Sequence, residues 1–140
     1  MNDLLSRYKV HSLTLLRVLT GFMFIEHGAQ KLFGLLGGFG GQEGATAPLF
    51  SIMGFAGVLE FFGGLAILLG LFTQPVAFIL SGQMAVAYFM FHFPKSFWPV
   101  MNQGERAALY CLIFLLLATI GGGSFNLDSF FKKKPESPDL

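Results

Sequence analysis

The chain has 140 residues, of which 54% are hydrophobic and only 12% charged, and its mean hydropathy is +0.64. An ordinary soluble domain is about a quarter charged, so this composition excludes one and predicts a small all-α integral membrane protein. A net charge of +1, with the basic residues few and dispersed, removes the electrostatic case for a nucleic-acid partner.

Apolar runs over residues 13–36, 51–72, 76–93 and 105–121 approach the roughly 17–25 residues of a spanning helix. They predict a four-transmembrane-helix bundle, a single domain over residues 1–128 followed by a basic, partly disordered tail over 129–140. Arg7, Lys9 and Arg17 precede or open the first run and Lys132, Lys133 and Lys134 follow the last, whereas the loops between hold mainly Lys31 and Lys95. That asymmetry places both termini in the cytoplasm, in a multi-pass protein of the bacterial inner membrane. The single cysteine, Cys111, excludes an internal disulfide relay and reads as a buried thiol. Ala45-Thr46-Ala47 has the small-residue form of a leader cleavage site. The apolar run before it is too long and carries Glu26 and Lys31, so it reads as an uncleaved signal anchor.

Residues 1–12 are polar and are expected to lie along the inner membrane surface. In the first span, at about 100° per residue, Glu26, His27, Gln30 and Lys31 share an arc with Thr20. Val18, Gly21, Ile25, Ala29 and Leu32 form the opposite side, expected to face lipid. A charge at bilayer depth costs roughly 2.5–3.5 kcal/mol even on the lenient insertion scale, so the polar stripe is expected to have a use. The glycine-rich stretch 34–44 follows no strand and lacks a Lys-Ser/Thr pair, which makes it a flexible external loop rather than a phosphate loop.

The second span carries one charge, Glu60, on the side of Ala56, Gly57, Gly63 and Gly64. Such a small-residue face belongs in a helix interface. Counting from the outer helix ends, Glu60 lies roughly 13 Å deep and Glu26 roughly 15 Å, so the two carboxylates share a level. Thr73-Gln74-Pro75 is a tight inner turn that makes the second and third spans antiparallel neighbours. In the third span Ala77, Ser81 and Ala85 form a close-packing side with His92, while Gln83 points roughly the other way; regular helix geometry alone does not place the two polar groups in one cavity, and Gln83 is left to packing or to another subunit. Pro94 ends this span, and Lys95, Phe97 and Trp98 anchor its outer end. The fourth begins at Glu105-Arg106 and stops at Gly121-Gly122-Gly123, after which residues 125–128 return along the inner surface.

The polar groups thus gather in the outer half of the bundle and predict a pocket opening outward. Glu26 and Glu60 are the candidate catalytic, proton-handling groups, and His27, Gln30, Lys31, His92, Glu105 and Arg106 are the candidate ligand-binding groups. Carboxylate, imidazole and ammonium together suit proton exchange, a quinone carbonyl or a small anion. The competing reading is that Glu60 with Lys31, and Glu105 with Arg106, are satisfied pairs that only fix helix register. Arg17 reads as an inner-end snorkeller. No pair has the i, i+3 or i, i+4 Glu/His spacing of bundle metal sites, so no metal is assigned.

Residues 24–34, Phe-Ile-Glu-His-Gly-Ala-Gln-Lys-Leu-Phe-Gly, resemble the HG-x-QKLFG signature of the DoxX family. Leu59-Glu60 through Gly63-Gly64 to Gly70-Leu71-Phe72-Thr73 is similar to its second-helix pattern, and His92 to Lys95, Phe97-Trp98, Asn102 to Glu105 and Gly121 to Asp128 are similar to its later blocks. Gly122 and Asn126 stand where that pattern has Pro and Ser, which affects the closing turn more than the pocket. The resemblance implies a four-helix bacterial inner-membrane protein. The family takes its name from a subunit associated with a thiosulfate:quinone oxidoreductase, and some members are linked to oxidative-stress or quinone resistance. Membrane lipid, membrane oxidoreductase subunits or further copies of the chain are the partners implied, and a quinone is the candidate cofactor. Two other functions are carried forward: a proton-coupled carrier or efflux protein for a small organic solute, and a structural membrane partner without ligand.

Overall fold

The computed structural model describes residues 2–131, so the basic run Lys132 to Lys134 lies outside the described residues. Every regular element among them is helical: α1 (Asn2–Phe33), α2 (Ile52–Leu69), α3 (Thr73–Lys95), α4 (Pro99–Asn102), α5 (Glu105–Ile120) and α6 (Asp128–Phe131), with a short 3₁₀ turn at Phe39–Gly41. α2 and α3 are long and apolar enough to cross a membrane. α1, at 32 residues, is longer than a span needs, and α5 has 16 residues. The polar residues before Leu13 are the first turns of α1 rather than a separate surface segment, because no Gly or Pro interrupts the chain before Gly21.

The long helices pack as two antiparallel pairs, α1 with α2 and α3 with α5. Glycines set the first pair. A Cβ added at Gly21 would lie 2.6 Å from Leu68 N, and one at Gly28 would lie 2.7 Å from Phe61 Cα. The two backbones are therefore in contact, which is how small residues let apolar helices associate without a hydrophobic drive. This overturns the expected lipid-facing side of α1: Gly21 and Ala29 are buried, and Leu15, Leu19, Phe22, Met23 and Phe33 are the exposed residues instead. The two pairs meet in a core of Phe24, Ile67, Ala77, Leu80, Met84, Phe114 and Leu117. There Phe24 packs edge-on against Phe114 with ring centroids 4.8 Å apart.

At the end of the bundle that holds the α2–α3 turn, α6 locks that turn. Asp128 accepts hydrogen bonds from Phe72 N at 2.6 Å and Thr73 N at 2.9 Å, capping α3 with a carboxylate as helix N-termini favour. It also holds Phe72 at φ 47°, a left-handed conformation that a bulky residue adopts only under constraint. Arg17 does not snorkel. It is 2% exposed and donates to Gly122 O at 3.2 Å and Phe125 O at 2.8 Å, taking up carbonyls that the Gly121–Gly123 turn leaves outside any helix. At the opposite end the glycine-rich loop is tied to itself and to α1, with Phe39 N donating to Ala45 O at 2.8 Å and Ala47 N to Lys31 O at 2.7 Å.

Candidate functional site

Two wide turns carry the site. α2 is π-helical over Leu59–Gly63, the turn that bears Glu60, and α3 is π-helical over Tyr88–His92, the turn that ends in His92. A π turn admits one extra residue into the helix and so shifts the phase of everything beyond it by about 100°. Gln83 and His92 are nine residues apart, which in a regular helix is about half a turn from alignment; the shift brings both onto one groove. Regular helix geometry alone does not place them together; the π turn does.

Glu60 is 4% exposed. Lys31 Nζ donates to Glu60 Oε2 at 2.5 Å, and Gln83 Nε2 donates to Glu60 Oε1 at 3.2 Å and to Ala56 O at 3.4 Å. One carboxylate thus receives donors from α1 and α3 while standing on α2. Gly57 makes the approach possible, since a Cβ there would come within 2.9 Å of Lys31 Cβ. The Glu60–Lys31 pairing foreseen in the competing reading is present.

The pair stands between two cavities. A groove of about 480 Å³ runs between α2 and α3, walled by apolar residues such as Phe55, Leu59, Ile79 and Phe91, with Lys31, Glu60, Gln83 and His92 as its polar groups. A smaller cleft of about 150 Å³ is lined by His27, Gln103, Arg106 and Tyr110 and shares Lys31, Glu60 and His92 with the groove. His92 Nδ1 donates to Asn102 O at 3.0 Å, which leaves Nε2 without a part in that bond. Asn102, 1% exposed, also donates to Ser96 O at 2.8 Å and accepts from Gly104 N at 2.7 Å. It thereby fixes the loop that carries the cleft's outer residues.

Of the eight candidate residues, Lys31, Glu60 and His92 line both cavities, and His27 and Arg106 line the cleft. Glu26, Gln30 and Glu105 line neither. Glu26 is close to Glu60 in height, since Gly28 packs on Phe61, but it lies on the outward arc of α1 among the exposed Leu19, Phe22 and Met23. Gln30 Nε2 donates to Leu36 O at 2.8 Å and secures the end of α1. Glu105 and Arg106 are both exposed and make no ion pair with each other. Gln83 is the site residue that sequence reasoning left unassigned. The available signal was a neutral amide inside an apolar span, which needs a partner. Among the described residues no three His, Cys, Asp or Glu side chains gather where they could hold a metal ion.

The DoxX family model matches residues 12–93, which include α2, nearly all of α3 and α1 from residue 12 onward. The chain belongs to the DoxX family. Over 137 residues it is 40% identical to an uncharacterized protein of Haemophilus influenzae, covering 96% of this chain and 100% of that one. It is also 32% identical over 120 residues to the inner membrane protein YqjF of Escherichia coli K12, covering 84% of this chain and 90% of that one. No solved structure matches. The matched DoxX region contains Lys31, Glu60, Gln83 and His92, so the polar groups of the groove lie within the family's defining segment.

Proposed function

We propose that this DoxX-family membrane protein is a redox-linked accessory protein of the bacterial inner membrane that holds a quinone-like molecule in the groove between α2 and α3. It crosses the membrane four times, with both termini on the cytoplasmic side, and the groove opens in the outer half. The observation that carries the reading is Gln83 Oε1, a buried acceptor without a hydrogen-bond partner among the described residues, on a residue that lines an apolar groove beside Lys31 and Glu60. Buried polar atoms are rarely left unmade, and one such atom in a cavity asks for a donor from a ligand. A quinol hydroxyl supplies that donor. A quinone carbonyl, in turn, accepts from the Lys31 ammonium, which has N–H groups beyond the one directed at Glu60.

Aromatic and aliphatic walls with a few polar groups at one end are the usual form of a small-molecule site. Glu60, between groove and cleft, is the candidate for proton handling at the bound ring. Purified protein is expected to gain thermal stability on adding a short-chain benzoquinone, and Glu60→Gln to weaken that gain; no shift with any quinone overturns the reading. A second reading, a proton-coupled carrier, is favoured by one observation: the Lys31–Glu60 ion pair, with His92, lines both the groove and the cleft. Solute flux into proteoliposomes that follows a pH gradient would favour it over the redox role.

A further inference from the structure

We propose that the cavity at the opposite end of the bundle is a phospholipid site that binds the phosphate of the headgroup. It measures about 660 Å³ and lies where the start of α1, the α2–α3 turn, the end of α5 and α6 converge. Its walls include Leu13 and Ile120, the residues at which the first apolar run begins and the last closes. That level is where a bilayer presents its headgroups.

The polar groups have the sign and the unused hydrogen-bonding capacity that a phosphate needs. Thr73 forms part of the cavity lining, is 2% exposed, and its Oγ1 has no hydrogen-bond partner among the described residues. Lys9 lies on the same cavity. Arg17 stands directly behind Gly122: a Cβ at Gly122 would come within 2.8 Å of Arg17 Cδ and 3.2 Å of Thr73 Oγ1. The glycine thus lets a buried cation stand behind the cavity wall next to the buried hydroxyl, and among the described residues Arg17 Nε is a second buried donor without a partner.

Asp128 is the acid in this lining, and its two oxygens take the amides of Phe72 and Thr73. Lys9 in the lining and Arg17 behind it carry two positive charges against the single negative charge of Asp128. A phosphate oxygen accepts from the Thr73 hydroxyl and the Lys9 ammonium, charge-assisted bonds that outweigh neutral ones. The apolar walls, Leu13, Ile120 and Phe131 among them, take the glycerol backbone and the first methylenes, surface that free phosphate would leave uncovered. The site is independent of the Lys31–Glu60 groove and of the ligand proposed there.

The test is native mass spectrometry of the full chain in detergent, titrated with short-chain phosphatidylglycerol, with the matching diacylglycerol and with inorganic phosphate. One phosphatidylglycerol is expected to remain on each chain and diacylglycerol is not. Lys9→Ala and Thr73→Val are expected to reduce lipid retention several-fold, whereas Thr73→Ser, which keeps the hydroxyl, and Lys95→Ala, at the far end, retain it. Thermal melts of Thr73→Val and Thr73→Ser separate loss of binding from loss of fold. Equal retention by Thr73→Val and Thr73→Ser, retention of diacylglycerol at the same level, or displacement of the lipid by an equal concentration of inorganic phosphate would each overturn the proposal.

Discussion

Gln83 Nε2 lies 3.2 Å from Glu60 Oε1, on the carboxylate oxygen opposite the one that Lys31 Nζ approaches at 2.5 Å. Three helices are joined through one side chain that is 4% exposed. Removing one member of a buried ion pair strands the other charge, whereas replacing both with apolar groups is often neutral. Glu60→Gln or Lys31→Met alone is therefore expected to lower stability by about 3–5 kcal/mol, and Lys31→Met/Glu60→Leu to recover most of it. Thermal denaturation of the four proteins in one detergent checks this. Recovery of stability without recovery of quinone-induced stabilisation separates a ligand role from a purely structural one.

The α1–α2 contact makes a second prediction. Gly28→Ala inserts a methyl group 2.7 Å from Phe61 Cα, and forcing two packed backbones apart costs roughly 1–3 kcal/mol. A Cβ added at Gly82 on α3 would meet nothing within 4 Å, so Gly82→Ala is expected to be neutral or to stabilise by up to about 1 kcal/mol. Melting temperatures that fall equally in both variants would contradict the close approach at Gly28.

Asp128 supplies a third. It is the N-terminal cap of α3 although it lies 55 residues after Thr73. Asp128→Ala is expected to cost about 1 kcal/mol, within the usual range for a lost cap. Hydrogen exchange at Phe72 and Thr73 should rise selectively, while amides near Glu60 keep their protection; a uniform rise across α2 and α3 would argue against a local cap.

Much of this is legible in the sequence, for reasons that differ from element to element. The glycines around Glu60 announce a close helix interface, and the lone acid in an apolar span announces a partner, which is Lys31. What periodicity does not give is the face of each helix after a π turn. Gln83 and His92 stand opposed at a steady 100° per residue, and they share a groove because Tyr88–His92 takes in an extra residue. Nor does a helical wheel distinguish a lipid-facing side from a glycine-lined one, since both are free of charge; the side of α1 holding Gly21 and Ala29 is misplaced on that account. Glu26 shares an arc with His27 and Lys31 in the wheel, but the groove forms on the Lys31 flank and leaves Glu26 among exposed Leu19, Phe22 and Met23.

The central claim is that the polar end of the α2–α3 groove, Gln83 included, receives a quinone-like ring. The most direct measurement is the Kd of a short-chain quinol for the wild type, Gln83→Leu and Glu26→Gln by calorimetric titration. Loss of one buried hydrogen bond should weaken binding by roughly tenfold in Gln83→Leu, while Glu26→Gln, whose side chain lies outside the groove, leaves Kd unchanged. Wild-type affinity in Gln83→Leu, or an equal loss in Glu26→Gln, would contradict the account.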